Sequence, residues 1–338
     1  MTGREDDLHE DDLIAQMRRI IPTGTRTLIG SGDDCAQIAT PEGHVIVTTD
    51  VLVEGHHFRF DWSTPREIGQ RAAMQNLADI AAQGGRASAF VVSLTLPDDM
   101  GHDAVLDLVA GFSDALTGTG AGIVGGDISG GSELTIAVTA LGYCPHGAVT
   151  RSGAQPGDVV VVAGTLGHSA MGLSSYLNGI DTVTSIAEGT GGAGGGSGES
   201  ASRLLDRCRS IYRVPQPLLD AGVEAARCGV HAMMDCSDGL SSDLHRLARA
   251  SGVSIVLDEE AIASRVAILH PLSTVAGLIS ATTAVLHGGE DHALIATADE
   301  RTTLGEHWQV IGRVAATDQP RVLLGCEELH PGGWDHLR

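Results

Sequence analysis

Acidic residues in this chain recur beside glycines and at the ends of apolar runs, and that company is what phosphate chemistry needs. Residues Gly30 to Phe58 read GSGDDCAQIATPEGHVIVTTDVLVEGHHF: a glycine-flanked pair, Asp33-Asp34, leads into a β-branched run, Val45 to Thr49, that ends on Asp50, and His56-His57 follow. A hard cation takes oxygen ligands from a backbone that has stopped moving, so carboxylates at a tight turn and a strand end are placed to hold one. A single acidic turn is ordinarily a solvated turn. Here acids return in the same setting at Asp79, Asp127, Asp235, Asp238, Glu290 and Asp291, a recurrence that points to a shared metal.

The charge balance narrows the chemistry. With 21 Lys+Arg against 43 Asp+Glu the net charge is -22, and no lysine occurs, so every fixed side-chain cation is an arginine. Nucleic acid is excluded as a partner, because its phosphates reward clustered cations. A P-loop is excluded for want of its lysine. If a nucleotide is handled, metal ions must supply most of the positive charge. The six cysteines at 35, 144, 208, 228, 236 and 326 form no CxxC, which fits reduced, buried thiols and a cytoplasmic location. No apolar stretch reaches the length of a membrane span, and the N-terminus is acidic rather than signal-like, so a soluble intracellular protein is expected.

The elements that must position these acids can be read from periodicity and punctuation. A chain of 338 residues exceeds one ordinary core, and the Gly/Pro-rich joint from Thr150 to Asp158 precedes a wholly apolar run, Val159 to Val162; domains of 1–150 and 151–338 follow. Residues 1–20 read as an acidic cap and short helix. Thr64-Pro65-Arg66-Glu67 is a capping box with proline at the first helical position, and Gly84-Gly85 stops that helix. Within it Asn76 and Asp79, three apart, share a face that solvent or a ligand should meet. Strands are predicted over 88–96 and 134–142 and a helix over 103–116, with Ile123 to Asp127 an apolar run turned by glycines onto an acid. In the second half a helix at 217–227 and a strand at 231–235 come before a strand-to-helix turn bracketed by Asp235 and Asp238. The helix after that turn runs to about 250, and its N-terminus offers N–H groups to an anion. Strands follow at 253–257, 293–296 and 308–314. Residues 188–199, EGTGGAGGGSGE, cannot bury a core and read as a disordered surface insertion.

Taken in order, GDD at 32–34, TTD at 48–50, LVEGHHF at 52–58, NLADIAAQGG at 76–85, GGD at 125–127, TRSGA at 150–154, DCSDGL at 235–240, GGED at 288–291 and GWDH at 333–336 resemble the thiamine-monophosphate kinase family. That family lies in the superfamily of aminoimidazole ribonucleotide synthetase. The resemblance implies an α/β fold of two domains, the N-terminal one forming a barrel across a homodimer and the C-terminal one α/β as well. It implies ATP-dependent phosphorylation of thiamine monophosphate to thiamine diphosphate with several Mg²⁺ ions. Metal would fall to Asp34, Thr48, Thr49, Asp50, Asp79, Asp127, Asp235 and Asp238, with Asp50, Asp127 and Asp238 the catalytic members. Nucleotide contacts would come from Gly126, Asp127, Arg151 and Ser237, and thiamine-phosphate contacts from His57, Glu290 and Trp334. One departure stands out: many members carry GGEDYEL, where this chain has His292 and Ala293 after GGED. A selenophosphate synthetase would need a reactive cysteine ahead of the first acid, and a hydrogenase-maturation relative a terminal one; this chain has neither. An aminoimidazole ribonucleotide synthetase-like enzyme, a nucleotide-binding protein without turnover and a metal-dependent phosphohydrolase are the alternatives.

Overall fold

The computed structural model describes residues 16–29, 37–40, 43–180 and 200–333. The chain divides into two compact units, one of Met1–Ile80 with Gly85–Pro145 and one of Ala81–Gly84 with His146–Arg338. The acidic turn at 33–34, the glycine-rich run at 188–199 and Trp334 lie outside the described residues.

In the first unit a two-stranded ribbon, β1 (Thr27–Ile29) with β2 (Gln37–Ile38), accompanies a four-stranded sheet. The sheet is built from β3 (Ile46–Val53), β4 (Arg86–Pro97), β5 (Gly122–Gly131) and β6 (Thr135–Tyr143) in the order β3-β6-β4-β5. Helix α1 (Pro65–Ala82) starts as its sequence dictates: Thr64 N–H donates to Glu67 Oε2 at 2.9 Å, and Glu67 N–H donates back to Thr64 Oγ1 at 3.3 Å. Helix α2 (His102–Leu116) buries Val105, Leu108, Val109, Phe112 and Leu116, a stripe at helical spacing. Strand β6 alternates strictly between buried and half-buried residues, the pattern of a sheet with one covered face. On the other face Val47 and Val51 of the edge strand β3 remain 64% and 49% exposed.

Two acids expected at strand ends lie inside strands instead. Strand β3 runs past Asp50 to Val53 because Leu52 is buried and the antiparallel ladder with β6 continues to Thr135. Strand β5 runs past Asp127 to Gly131, paired in parallel with β4 as far as Pro97.

The second unit centres on a seven-stranded sheet, β13-β12-β9-β11-β7-β10-β8. In chain order its elements are β7 (Val159–Ala163), α3 (His168–Leu177), α4 (Ala201–Arg213), α5 (Leu219–Cys228), β8 (Ala232–Cys236), α6 (Leu240–Ser251), β9 (Ser254–Leu257), α7 (Glu259–Leu269), α8 (Ala281–His287), β10 (Ala293–Ala298), β11 (Trp308–Ala315), β12 (Val322–Leu324) and β13 (Glu327–Glu328). The apolar run at 159–163 is an interior strand of this sheet, between β11 and β10. Val160 and Val162 enter one core with Leu240, Leu244 and Ile295, while Val159 and Val161 enter the opposite core with Ala221, Ala225 and Leu294. Burial on both faces explains a strand without polar alternation, although its neighbours run antiparallel.

Candidate active site

In the first unit, strand alternation sets Thr48, Asp50 and Leu52 on one face of β3 and Thr49 on the other. The Thr48 hydroxyl donates to Asp79 Oδ2 of α1 at 2.6 Å. The Thr49 hydroxyl donates to the Val138 carbonyl at 2.8 Å and accepts from Thr139 Oγ1 at 3.3 Å. Asn76, one turn before Asp79, is fully buried; its amide donates to the Ala72 carbonyl at 3.0 Å, and its Oδ1 finds no hydrogen-bond partner among the described residues. The face expected to meet solvent or ligand is therefore half open at Asp79 and closed at Asn76.

Asp127 is exposed on β5, in register with Ser93, and accepts from the Ser129 hydroxyl at 3.2 Å. A Cβ on Gly126 would sit 1.8 Å from the Val92 carbonyl oxygen, so glycine is required there by the backbone of β4. Through Val138 and Val92, Asp50 and Gly126 fall in one row across the whole sheet. Three strand spacings part them, ~14 Å. His57 closes the turn after β3: its Nδ1 accepts from Val53 N–H at 3.0 Å, so the neutral ring carries its proton on Nε2.

In the second unit the turn after β8 is ringed by carboxylates. Asp235 is buried in the row of Leu294, and Asp238 N–H donates to Oδ2 of Asp243 at 3.1 Å. The helix N-terminus expected to offer itself to an anion is thus faced by the chain's own acids. Arg246 counters them, its Nη1 lying 2.5 Å from Asp238 Oδ2 and 2.5 Å from Asp243 Oδ1. Burial raises the Asp243 carboxyl to about 7, helped by the charges of Asp235 and Asp238 and opposed by Arg246. Asp243 and Arg246 escaped the sequence reading, though their spacing of three on a helix is the signature of a paired acid and base.

The GGED segment is strapped to this turn. Glu290 N–H donates to the Ser237 carbonyl at 2.7 Å and His292 N–H to that of Cys236 at 3.0 Å. Glu290 and His292 both hold left-handed backbone, φ 68° and 52°, a cost that non-glycine residues bear mostly where geometry is over-determined. His292 is buried, with Nδ1 3.2 Å from Asp235 Oδ2 and Nε2 3.7 Å from Glu290 Oε2. Burial alone would lower its pKa, but the Asp235 and Glu290 carboxylates outweigh that and raise it to about 10. Asp291 corrects the expectation that it shares a metal. Its carboxylate accepts from Thr165 Oγ1 at 2.8 Å and from the N–H groups of Gly167 at 2.8 Å, His168 at 3.2 Å and Ser169 at 3.4 Å, so it is spent on the N-terminus of α3.

The C-terminal segment closes on the same turn. Ser241 and Ser242 hydroxyls each donate to the Gly332 carbonyl at 2.8 Å. Arg151 is exposed, its carbonyl accepting from Ser251 Oγ at 2.7 Å. Among the described residues, no three His, Cys, Asp or Glu side chains converge on an ion site. Asp50 and Asp127 occupy opposite edges of one sheet, and Asp235 and Asp238 stand in the second unit. The donors themselves, carboxylates and a hydroxyl, still suit Mg²⁺, which is commonly held by one or two carboxylates and completed by water and substrate phosphates.

Two mixed α/β units carrying strand and turn carboxylates define the class of AIR synthase related proteins, whose N-terminal domain matches residues 32–144 and whose C-terminal domain matches residues 155–325. A thiamine-monophosphate kinase of Mycobacterium tuberculosis is 40% identical over 303 residues, which is 89% of this chain and 83% of that protein. The crystal structure of thiamine monophosphate kinase from Aquifex aeolicus matches with TM-score 0.73 at 26% identity, over 97% of this chain and 100% of that one. A structure of AaThiL complexed with AMPPCP and TMP matches with TM-score 0.73 at 27% identity, over 99% of each chain. The chain belongs to the thiamine-monophosphate kinase family. Among the described residues, no helix is long and apolar enough to cross a membrane.

Proposed function

We propose that this chain transfers the γ-phosphoryl group of ATP to thiamine monophosphate, giving thiamine diphosphate and ADP. The observation that carries the reading is the oxygen-only edge of β3, where Thr48 and Asp50 share a face and the Thr48 hydroxyl meets Asp79 in a chain that contains no lysine. The acceptor is itself a phosphate with a second pKa of about 6, so at neutral pH it is largely dianionic and needs no general base. What remains is alignment and the repulsion of two polyanions.

Mg²⁺ would be held by Asp34, Thr48, Asp50, Asp79, Asp127, Asp235 and Asp238, and by Thr49 through its main chain, since its hydroxyl is engaged with Val138. When bound, the ions supply the positive charge that offsets the phosphates. Gly126, Asp127, Arg151 and Ser237 bind the nucleotide, Arg151 adding a guanidinium in a protein with few cations. Glu290, His57 through Nε2, and Trp334 bind thiamine monophosphate, the indole lying against its cationic ring system. Asp238, braced by Arg246 and by Asp243, keeps its orientation between turnovers.

A homodimer belongs to this reading. Asp50 and Asp127 stand on opposite edges of one sheet, and the open face of β3 carries exposed Val47 and Val51, so a second copy closing on these edges would draw the separated acids toward one site. The location assigned is the cytoplasm, where thiols stay reduced.

Incubating the protein with ATP, MgCl₂ and thiamine monophosphate and separating the products tests the reading. Equal yields of ADP and thiamine diphosphate are expected. Inorganic phosphate formed at the same rate with or without the acceptor would instead identify a phosphohydrolase.

A further inference from the structure

We propose that His292 is a positioning residue that sets the acceptor-facing Glu290 by reference to Asp235; the inference rests on the kinase reading for the roles of those two acids. One imidazole lies between the two carboxylates. Its Nδ1 is 3.2 Å from Asp235 Oδ2, and its Nε2 is 3.7 Å from Glu290 Oε2 and makes no hydrogen bond among the described residues. The ring is buried, so neither nitrogen can turn to water instead.

The backbone leaves the ring little choice of place. The bonds from Glu290 N–H to Ser237 and from His292 N–H to Cys236 pin both residues to the turn after β8, and both are held in left-handed conformation. Between them Asp291 is locked into the N-terminus of α3 by four donors. With the main chain fixed on either side, Glu290 can still move its carboxylate about its own side-chain torsions, since its side chain is 22% exposed. The Nε2 group of His292 is a buried ring nitrogen close enough to direct it. The separation of 3.7 Å is longer than a hydrogen bond and closes to one with a small torsional change at Glu290. An acid so directed holds the acceptor at a fixed distance from Asp235, and misplacement of that kind is costly to phosphoryl transfer.

The two ring nitrogens can be tested separately. In His292→Asn the amide stands where Nδ1 stood and keeps the contact with Asp235, while the contact from Nε2 toward Glu290 is lost; in His292→Gln the longer side chain can reach Glu290. Steady-state rates with each substrate varied in turn should show KM for thiamine monophosphate raised about tenfold in the Asn variant, KM for ATP within about twofold, and partial recovery in the Gln variant. Combining His292→Asn with Glu290→Gln should raise the acceptor KM no further than the worse single change, because one interaction is lost in each. An acceptor KM within about twofold of wild type in the Asn variant, or effects that multiply in the double variant, would overturn the inference. A second measurement does not depend on turnover: melting temperatures of wild type, His292→Asn, Glu290→Gln and the double variant should be non-additive if His292 and Glu290 are coupled, and additive shifts overturn the link. If wild type forms no thiamine diphosphate the kinase reading falls, while the melting cycle still decides the link.

Discussion

The Thr48 hydroxyl on β3 donates to Asp79 Oδ2 on α1 at 2.6 Å, while its neighbour Thr49 points the other way and donates to the Val138 carbonyl at 2.8 Å. Two adjacent threonines thus have different work, and isosteric removal of each hydroxyl separates them. Thr48→Val should cost about 1–3 kcal/mol, the scale of a hydrogen bond to a charged acceptor, and should raise the Mg²⁺ concentration needed for half-maximal turnover. Thr49→Val should cost about 1 kcal/mol and leave the Mg²⁺ dependence unchanged. Melting curves and a Mg²⁺ titration of both variants check this; equal titration curves would show that the Thr48 hydroxyl has no part in metal use.

The two glycines of GGD should respond differently to alanine. A Cβ at Gly126 would lie 1.8 Å from the Val92 carbonyl oxygen, whereas one at Gly125 would meet nothing within 4 Å. Gly126→Ala must push β5 from β4, an overpacking of about 3 kcal/mol or more, and should yield little soluble protein. Gly125→Ala should melt close to wild type. Comparable melting temperatures would show that the close approach of β5 to β4 is absent in solution.

The contrast at GGD also shows where sequence reading reached its limit. The capping box at Thr64, the helices read over 103–116 and to about 250 and the buried strand at 159–162 were legible because local rules decide them: a cap, a stripe, an unbroken apolar run. Helices α3 and α4 were not anticipated, since His168–Leu177 is rich in small polar residues buried only by tertiary packing and Ala201–Arg213 is mostly polar outside a narrow stripe. Asp50 and Asp127 were read as strand ends because acids and glycines ordinarily stop a strand; the ladders with β6 and β4 carry the chain through both. Asp291 looked like Glu290 in sequence, and only the fold shows one carboxylate held by the start of α3 and the other facing His292. Asp243 and Arg246 stand three apart on one helix, a readable pair, but that Asp238 joins them depends on the closed turn.

Asp243 gives a pH dependence with a definite sign. Its folded pKa of about 7 stands above the 3.8 of the ordinary carboxyl. Between those values the folded protein keeps a proton that the unfolded chain has released, so stability falls as pH rises through this window and levels off above it. Asp243→Asn cannot titrate and should flatten that part of the profile. Melting temperatures in chelator at pH 5 and pH 7.5 should therefore drop less in the variant than in wild type. His292, raised to about 10 from 6.5, adds a decline of the same sign in a higher window, which Asp243→Asn leaves in place. Parallel profiles for the two proteins would mean that Asp243 is already ionised at pH 5.

The C-terminal segment offers the sharpest test of the proposed acceptor site. Gly332 is latched to the start of α6 by its carbonyl, which accepts from Ser241 and Ser242, and by its N–H, which donates to Ser241 Oγ at 3.1 Å. Gly333 follows at φ 139°, and a Cβ there would lie 2.0 Å from the Asp238 carbonyl oxygen, so Gly333 lies directly beside the turn that bears Asp238. If the indole of Trp334 meets the thiamine ring, Trp334→Ala should weaken thiamine monophosphate binding by about 1–3 kcal/mol and leave ATP affinity unchanged. Ser241→Ala, which loosens the latch, should weaken the same ligand by less. The double variant should bind no worse than Trp334→Ala alone, because Ser241 acts on the acceptor only through the tail it holds. Calorimetric titration of each ligand into the three variants decides between this and simple packing. Packing would lower the melting temperature of Trp334→Ala and weaken both ligands together, whereas an undiminished affinity for thiamine monophosphate would remove Trp334 from the acceptor site.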